Sequence, residues 1–170
     1  MNYYIYIVII VILFYFYNYH SMPIKELFSN NSNTIILLGD SIFKNNLYVS
    51  NSNMSIENQL MLHNPNVINK SQDGAVIVDV FYQIENIPEK YNKKTTNIYI
   101  SAGGNDIINY YLYKNIPKSN IDTLDVIFKK YTRLINSLLV KFDKSSLFIC
   151  DIYYPKSNRY KSFHPLIKLW

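Results

Sequence analysis

The stretch Thr34-Ile-Ile-Leu-Leu-Gly-Asp-Ser-Ile42 decides the fold. Its apolar residues run without a break into glycine and polar residues, as a buried parallel strand does at its carboxyl end. A second stretch, Asn97-Ile-Tyr-Ile-Ser-Ala-Gly-Gly-Asn-Asp106, has the same form. Ser41 follows the first predicted strand and Asn105 follows the other. A nucleophilic hydroxyl and an amide that can hold negative charge are the groups that acyl transfer needs.

The rest of the chain alternates between predicted strands and helices. Ser55 is a candidate N-cap, which predicts a short helix from there to about His63. Apolar residues at helical spacing predict helices from Gly74 to Pro88 and from Asp122 to Phe142. The last of these carries an apolar stripe of Leu124, Phe128, Tyr131, Ile135, Leu138 and Phe142. Predicted strands cover Thr34–Leu38, Asn66–Asn69, Asn97–Ala102 and Ser146–Tyr153. This alternation indicates an α/β domain with a parallel sheet and helices on both faces, whose site lies at the carboxyl ends of the strands.

Composition narrows the classes of protein and of site. The formal net charge is +5, but no dense Lys/Arg run with interleaved aromatic residues occurs, so we expect no nucleic-acid partner. The single cysteine, Cys150, cannot form an internal disulfide, and its apolar neighbours predict a small buried hydrophobe on a strand. The three histidines are far apart in sequence and no carboxylate spacing supports a metal site, so we expect none. We also expect no cofactor.

The amino-terminal segment from Tyr3 to Tyr17 contains no charged residue. Tyrosines crowd its ends, and extension to Tyr19 reaches the lower limit for a membrane-spanning helix, so we predict a membrane anchor over residues 1–20 with undetermined orientation. A cleaved signal peptide, which would give a secreted protein, is the competing interpretation, although no basic residue precedes the apolar run. A buried strand or core helix is the third interpretation of this apolar segment. A polar connector over 21–33 and a globular domain over 34–170 follow.

Three short motifs carry a resemblance to a known family. Gly39-Asp40-Ser41-Ile42, the later Gly74 and Gly103-Gly104-Asn105-Asp106 resemble the first three sequence blocks of the SGNH (GDSL-type) hydrolase superfamily. The resemblance implies an esterase, lipase or other acylhydrolase on a flavodoxin-like three-layer α/β/α fold. It also implies that Ser41 is the nucleophile, and that its N–H, the N–H of Gly74 and the Asn105 side chain form the oxyanion hole. The substrate would be a small-molecule, lipid or glycan ester.

Elementary chemistry agrees with these roles. A glycine at the start of a helix leaves unpaired N–H groups and the positive end of the helix dipole for an anion, and we place Gly74 there. The Asn105 side chain offers a neutral group with two N–H donors. Asp40 and Asp106 are interpreted as residues that cap turns and orient the loops.

The pattern departs from the family at the carboxyl end. The family's last block, Asp-x-x-His, supplies the base, but here Lys161 stands three residues before His164. We therefore interpret His164 as a surface or packing residue, and we expect either a domain that lacks the last strand and helix through truncation or one that has lost most of its activity. His63 and His20 suit the role of base no better.

Three functions remain open from the sequence. The first is a membrane-anchored serine esterase or acylhydrolase. The second is a catalytically degenerate module of the same fold that binds an acyl or glycan ligand. A flavodoxin-type nucleotide or flavin binder is the third and weakest, because residues 41–46 are too bulky to cradle a phosphate. Tyrosines 48, 82, 110 and 111 either line a pocket or pack on the surface.

Overall fold

A computed structural model describes residues 33–113 and 121–151 of the chain, with side chains described for 33–110 and 124–151. The strands are β1 (Thr34–Gly39), β2 (Val67–Asn69), β3 (Thr96–Ser101) and β4 (Ser146–Ile149). The helices are α1 (Ile56–Met61), α2 (Ile77–Glu85), α3 (Gly104–Tyr113) and α4 (Ile121–Lys141). Short 3-10 turns occupy Ser52–Met54 and Glu89–Tyr91.

The four described strands form one parallel sheet in the order β2-β1-β3-β4. β1 lies at its centre, where Ile36 is in register with Ile68 on one side and with Ile98 on the other. The chain moves outward from β1 to β2 and then crosses back to β3, so the strand order reverses between β1 and β3. Ligands bind at such a reversal, outside the carboxyl ends of the strands. The expected α/β fold with a parallel sheet is confirmed.

Two apolar cores lie on opposite faces of the sheet. Alternate residues of β1 divide between them, because successive side chains of a strand point to opposite faces. Ile36 and Leu38 belong to the larger core, which α2, α3 and α4 cover. Ile35 and Leu37 belong to the smaller one, where Phe43 and residues of α1 pack. All four β1 side chains are buried, which explains why this strand reads as an unbroken apolar run.

The cap predicted for the first helix is present. Ser55 is the N-cap of α1, and its hydroxyl accepts a hydrogen bond from the N–H of Asn58 at 3.3 Å. The side chain of Asn45 accepts from the N–H of Ile56 at 2.9 Å, which ties the loop after β1 to this helix. Two polar side chains thus satisfy N–H groups that the first turn of a helix leaves unpaired.

Several predicted boundaries differ from the structure. Helix α3 was not predicted, because its Asn- and Tyr-rich sequence has a weak apolar pattern. Phe128, placed in the apolar stripe of α4, is exposed, and Ile127 takes the buried position instead. The reason is the position of each residue around the helix, which turns once every 3.6 residues. One face of α4 carries the buried residues Leu124, Ile127, Tyr131, Leu134 and Leu138, and Phe128 lies to the side of this face. β4 ends at Ile149, and Tyr153 lies outside the described residues.

The predicted membrane anchor, the connector up to residue 32 and His164 also lie outside the described residues. Among residues 33–113 and 121–151, none of the helices is both long enough and apolar enough to cross a bilayer.

Candidate functional site

The sheet topology brings the three predicted site residues to one edge. Ser41 lies two residues after β1, Gly74 lies five residues after β2, and Asn105 lies four residues after β3. Because all three strands are parallel, these segments leave the sheet at the same edge, beside the point where strand order reverses.

A glycine and a buried amide set the direction in which the chain leaves β1. Gly39 has a φ of +124°, which side chains rarely permit, and a Cβ built there would lie 1.8 Å from the carbonyl oxygen of Ser101. The buried Gln83 of α2 holds Gly39 on both sides: its Oε1 accepts from the Gly39 N–H at 2.7 Å, and its Nε2 donates to the Gly39 carbonyl at 2.9 Å. The close approach of β1 to β3 therefore requires glycine.

Asp40 connects the end of β1 to the end of β3. Its Oδ1 accepts from the N–H of Ile42 and from the hydroxyl of Ser101, both at 3.0 Å. Its carbonyl accepts from the N–H groups of Phe43 and Lys44, so the chain turns sharply around Ser41. This agrees with the expectation that Asp40 orients the loop.

Burial raises the pKa of the Asp40 carboxyl above its usual value, and the hydrogen bonds from Ile42 and Ser101 offset this in part. The folded protein therefore binds this proton more tightly than the unfolded chain does. The stabilisation that protonated Asp40 gives the folded protein is complete below the ordinary pKa of 3.8. It is lost as the pH rises through the higher pKa of Asp40 in the folded state.

We expect the variant Asp40→Asn to remove this dependence on pH. An asparagine Oδ1 can accept the same two hydrogen bonds without becoming charged. The free energy of unfolding of the wild type should therefore fall relative to that of the variant as the pH rises from about 3.5 to about 7. Urea unfolding of both proteins across this range measures the difference, and a difference that stays constant with pH would contradict it.

Two backbone N–H groups at this edge are available to a ligand. Within the described residues, neither the N–H of Ser41 nor that of Gly74 has a hydrogen-bond partner, and the Ser41 hydroxyl has none either. Ser41 is half-buried, whereas Gly74 is exposed in a left-handed turn with a φ of +72°. Unpaired N–H groups of this kind attract an anionic oxygen.

Asn105 is tied to the segment that carries Gly74. Its Nδ2 donates to the carbonyl of Ala75 at 3.0 Å, and the amide has a second N–H beyond the one used in this bond. Its neighbour Asp106 accepts from the N–H of Ile77 at 2.9 Å through Oδ2 and so caps α2. The first turn of α3 is thereby fixed against the start of α2 in the way expected of a loop-orienting aspartate.

The position of Gly74 differs from the prediction. α2 begins at Ile77, with Val76 as its N-cap, so Gly74 does not open the helix but precedes it by three residues. The first helical N–H groups are already used, since Asp79 accepts from Val76 and Asp106 accepts from Ile77. An anion near Gly74 would therefore rely on the turn's own N–H, with less support from the helix dipole than we expected.

A histidine base beside Ser41 is absent from the described part of the chain. His63 is the histidine found there, and it is exposed at the opposite edge of the sheet. Its neighbour Asn64 donates to the carbonyl of Asn33 at 2.7 Å, just ahead of β1. A serine hydroxyl without a base is a weak nucleophile, so the described residues supply unpaired N–H donors at this edge but no histidine that would activate Ser41.

Cys150, which follows β4, does not offer an alternative nucleophile. It is half-buried and packs against the smaller apolar core, where burial raises the pKa of its thiol to about 11. The thiol is therefore protonated at neutral pH, in keeping with the predicted packing role. Among the described residues, there is no group of three or more histidine, cysteine or carboxylate side chains that could hold a metal ion.

Gln83 and Ser101 shape the site through Gly39 and Asp40, and neither residue was predicted from the sequence. For Gln83 a signal existed, because a glutamine at position 83 interrupts the buried face formed by Ile77, Val80 and Ile84. A buried amide in such a place needs hydrogen-bond partners, which implies an irregular stretch of backbone nearby.

Comparisons with known proteins support the fold. Neither the protein-family models nor the curated proteins contain a match to this chain. Among solved structures, a "putative GDSL-like lipase" from Parabacteroides merdae ATCC 43184 is similar to it, with a TM-score of 0.50 and 14% sequence identity. The similarity covers 81% of this chain and 72% of the other. At this identity the likeness concerns the fold alone, an α/β fold like that of the bacterial protein.

Proposed function

We propose that this chain is a serine ester hydrolase of the SGNH (GDSL) type. The observation that carries the proposal is the grouping of unpaired donors at one edge of the sheet: the N–H of Ser41, the N–H of Gly74 and the second N–H of Asn105. They accompany a half-buried serine hydroxyl that has no partner among the described residues. The similarity of fold to a GDSL-like lipase supports the same conclusion.

In the proposed reaction, Ser41 Oγ attacks the carbonyl carbon of an ester while its proton passes to a base. The carbonyl oxygen becomes an oxyanion, and the three N–H donors stabilise it. Collapse of this intermediate expels the alcohol, which takes up the proton, and leaves an acyl group on Ser41. Water then attacks the acyl-enzyme in the same way and releases the carboxylic acid.

The reaction needs a base, and we propose a histidine from outside the described residues for this role. β4 ends at the same edge of the sheet as Ser41, and the described chain stops there at Asp151, thirteen positions before His164. Thirteen residues can extend over roughly 43–47 Å, so the distance in sequence permits His164 to be this base. We expect His164→Ala to slow ester hydrolysis and His63→Ala to leave it unchanged. Equal rates in both variants would exclude His164.

A variant of Asn105 tests the oxyanion hole. Asn105→Ala removes a donor to the developing charge, so we expect the rate of ester hydrolysis, or of serine labelling by a fluorophosphonate probe, to fall by about 10²–10³. The exposed Asn109, on the same helix, provides a matched control, and Asn109→Ala should keep the wild-type rate. A small loss in thermal stability is expected for Asn105→Ala because the bond to Ala75 is removed. Loss of stability without loss of rate would contradict the proposed role.

A ligand-binding module is the second candidate, because the described part of the chain contains no histidine base near Ser41. Such a module would hold an acyl or glycan ligand in the same donor cluster without cleaving it. It predicts saturable ligand binding that depends on Asn105, with no labelling of Ser41.

We also propose, from the sequence alone, that residues 3–19 attach the hydrolase to a membrane.

A further inference from the structure

A polar cleft lies beside the candidate site but is lined by different residues. It has a volume of about 290 Å³ and is bounded by the chain that follows β2 and by one side of α2. Its lining residues are Lys70, Gln72, Asp79, Tyr82, Gln83 and Asn86. The volume is close to the lower end of the range for small-molecule sites, which is roughly 300–1,000 Å³.

The cleft has a fixed wall. Gln83 is buried, and both ends of its amide are bonded to backbone groups of Gly39. The N–H of Gln72 also donates to the Gly39 carbonyl, at 2.9 Å. The two sides of the cleft are therefore connected through one residue of β1, and a ligand would meet a largely preformed site.

The remaining polar groups keep unused hydrogen-bonding capacity. Lys70 has no ion pair or hydrogen bond through its ammonium group with any described residue. Asp79 uses Oδ2 for the N–H of Val76, which leaves Oδ1 for a ligand. Asn86 uses Nδ2 for the carbonyl of Tyr82 and leaves its own Oδ1. Donors and acceptors thus face the same space.

The combination of Lys70, Asp79 and Asn86 determines which class of ligand the cleft can bind. An acyl chain would strip water from the charged groups of Lys70 and Asp79 without replacing their hydrogen bonds. A polyanion would be repelled by Asp79, and a cation would be repelled by Lys70. A neutral molecule with several hydroxyl groups satisfies both residues, because each hydroxyl donates and accepts.

Tyr82 adds an aromatic surface to these polar groups. It is 61% exposed and lines the cleft within one helical turn of Asp79 and Asn86. An exposed aromatic ring among hydrogen-bonding side chains suits a ligand that is apolar on one face and polar at its edge. A pyranose ring has this form, since its axial C–H groups make one face apolar and its hydroxyls lie around the rim.

We infer that this cleft binds a neutral sugar ring. Tyr82 would pack against the face of the ring, and Lys70, Asp79 and Asn86 would bind its hydroxyls. The inference does not depend on catalysis by Ser41, because none of the proposed catalytic groups lines the cleft.

Saturation-transfer NMR and titration of the full chain test the inference, with methyl β-glucoside and N-acetylglucosamine as probes and open-chain sorbitol as the control. We expect at least one of the two sugars to bind in the millimolar range and sorbitol to bind much more weakly, because sorbitol has no ring to stack. Tyr82→Ala should weaken sugar binding about tenfold. Tyr48→Ala, which changes a similarly exposed tyrosine outside the cleft, should not weaken it.

Two further variants test whether sugar binding is independent of hydrolysis and whether it depends on the polar groups of the cleft. Ser41→Ala should bind the sugars as the wild type does, so loss of hydrolysis and loss of sugar binding are separable. Lys70→Met keeps the aliphatic stem of an exposed side chain, and it should weaken binding even if Tyr82→Ala folds poorly. Failure of both sugars to bind the wild type, equal binding of sorbitol, or no effect of Tyr82→Ala and Lys70→Met would each overturn the inference.

Discussion

Ser41→Ala is expected to abolish both fluorophosphonate labelling and ester hydrolysis. The substitution removes the only atom that the proposed reaction uses to form the acyl-enzyme. Loss of the nucleophile of a serine hydrolase lowers turnover by up to about 10⁶. Mass spectrometry of the labelled wild-type chain should place the adduct on the peptide that contains Ser41, and p-nitrophenyl acetate provides the rate.

The control for this experiment is Ser50→Ala, which alters an exposed serine of the loop after β1. It should be labelled and should hydrolyse the ester as the wild type does. Ser41 is half-buried and its hydroxyl bonds to none of the described residues, so Ser41→Ala should also unfold at nearly the wild-type temperature. A folded wild type that resists labelling would refute the hydrolase proposal and favour the binding module.

Gly39→Ala is expected to prevent stable folding. The new Cβ would lie 1.8 Å from the carbonyl oxygen of Ser101, and the backbone φ of +124° is one that alanine rarely adopts. Relief of the overlap requires β1 and β3 to separate at their carboxyl ends, which would break the hydrogen bonds between Gly39 and Gln83. We expect a loss of more than about 4 kcal/mol, a large share of the roughly 5–15 kcal/mol that stabilises a typical domain.

Gly74→Ala provides the comparison, since it also places alanine at a positive φ. No atom lies within 4 Å of a Cβ built at Gly74, so backbone strain is the main cost there, about 1–2 kcal/mol. Urea unfolding followed by circular dichroism measures both variants. Similar losses at the two positions would mean that the contact with Ser101 is not what makes Gly39 necessary.

Parts of the fold were readable from local sequence. The apolar run of β1 is buried on both faces, and such a strand stands out without any knowledge of its partners. In β3, buried residues alternate with half-buried ones, which is the period-2 pattern of a strand. Ser55 was identifiable as a cap because a helix N-terminus needs a side-chain acceptor. Helix α3 was not identifiable, since tertiary packing of Ile107 and Tyr110 against the larger core stabilises a segment with little periodicity of its own.

The sequence alone determined which residues follow the strands: Ser41 after β1, Gly74 after β2 and Asn105 after β3. It did so because strand ends are marked by a change in hydrophobicity along the chain. Only the tertiary structure decided how these segments are joined, through Asp40 with Ser101, Gln83 with Gly39 and Asn105 with Ala75. Each of these pairs is separated by 30 or more positions, so strand order and register bring its members together, and no local pattern encodes such contacts.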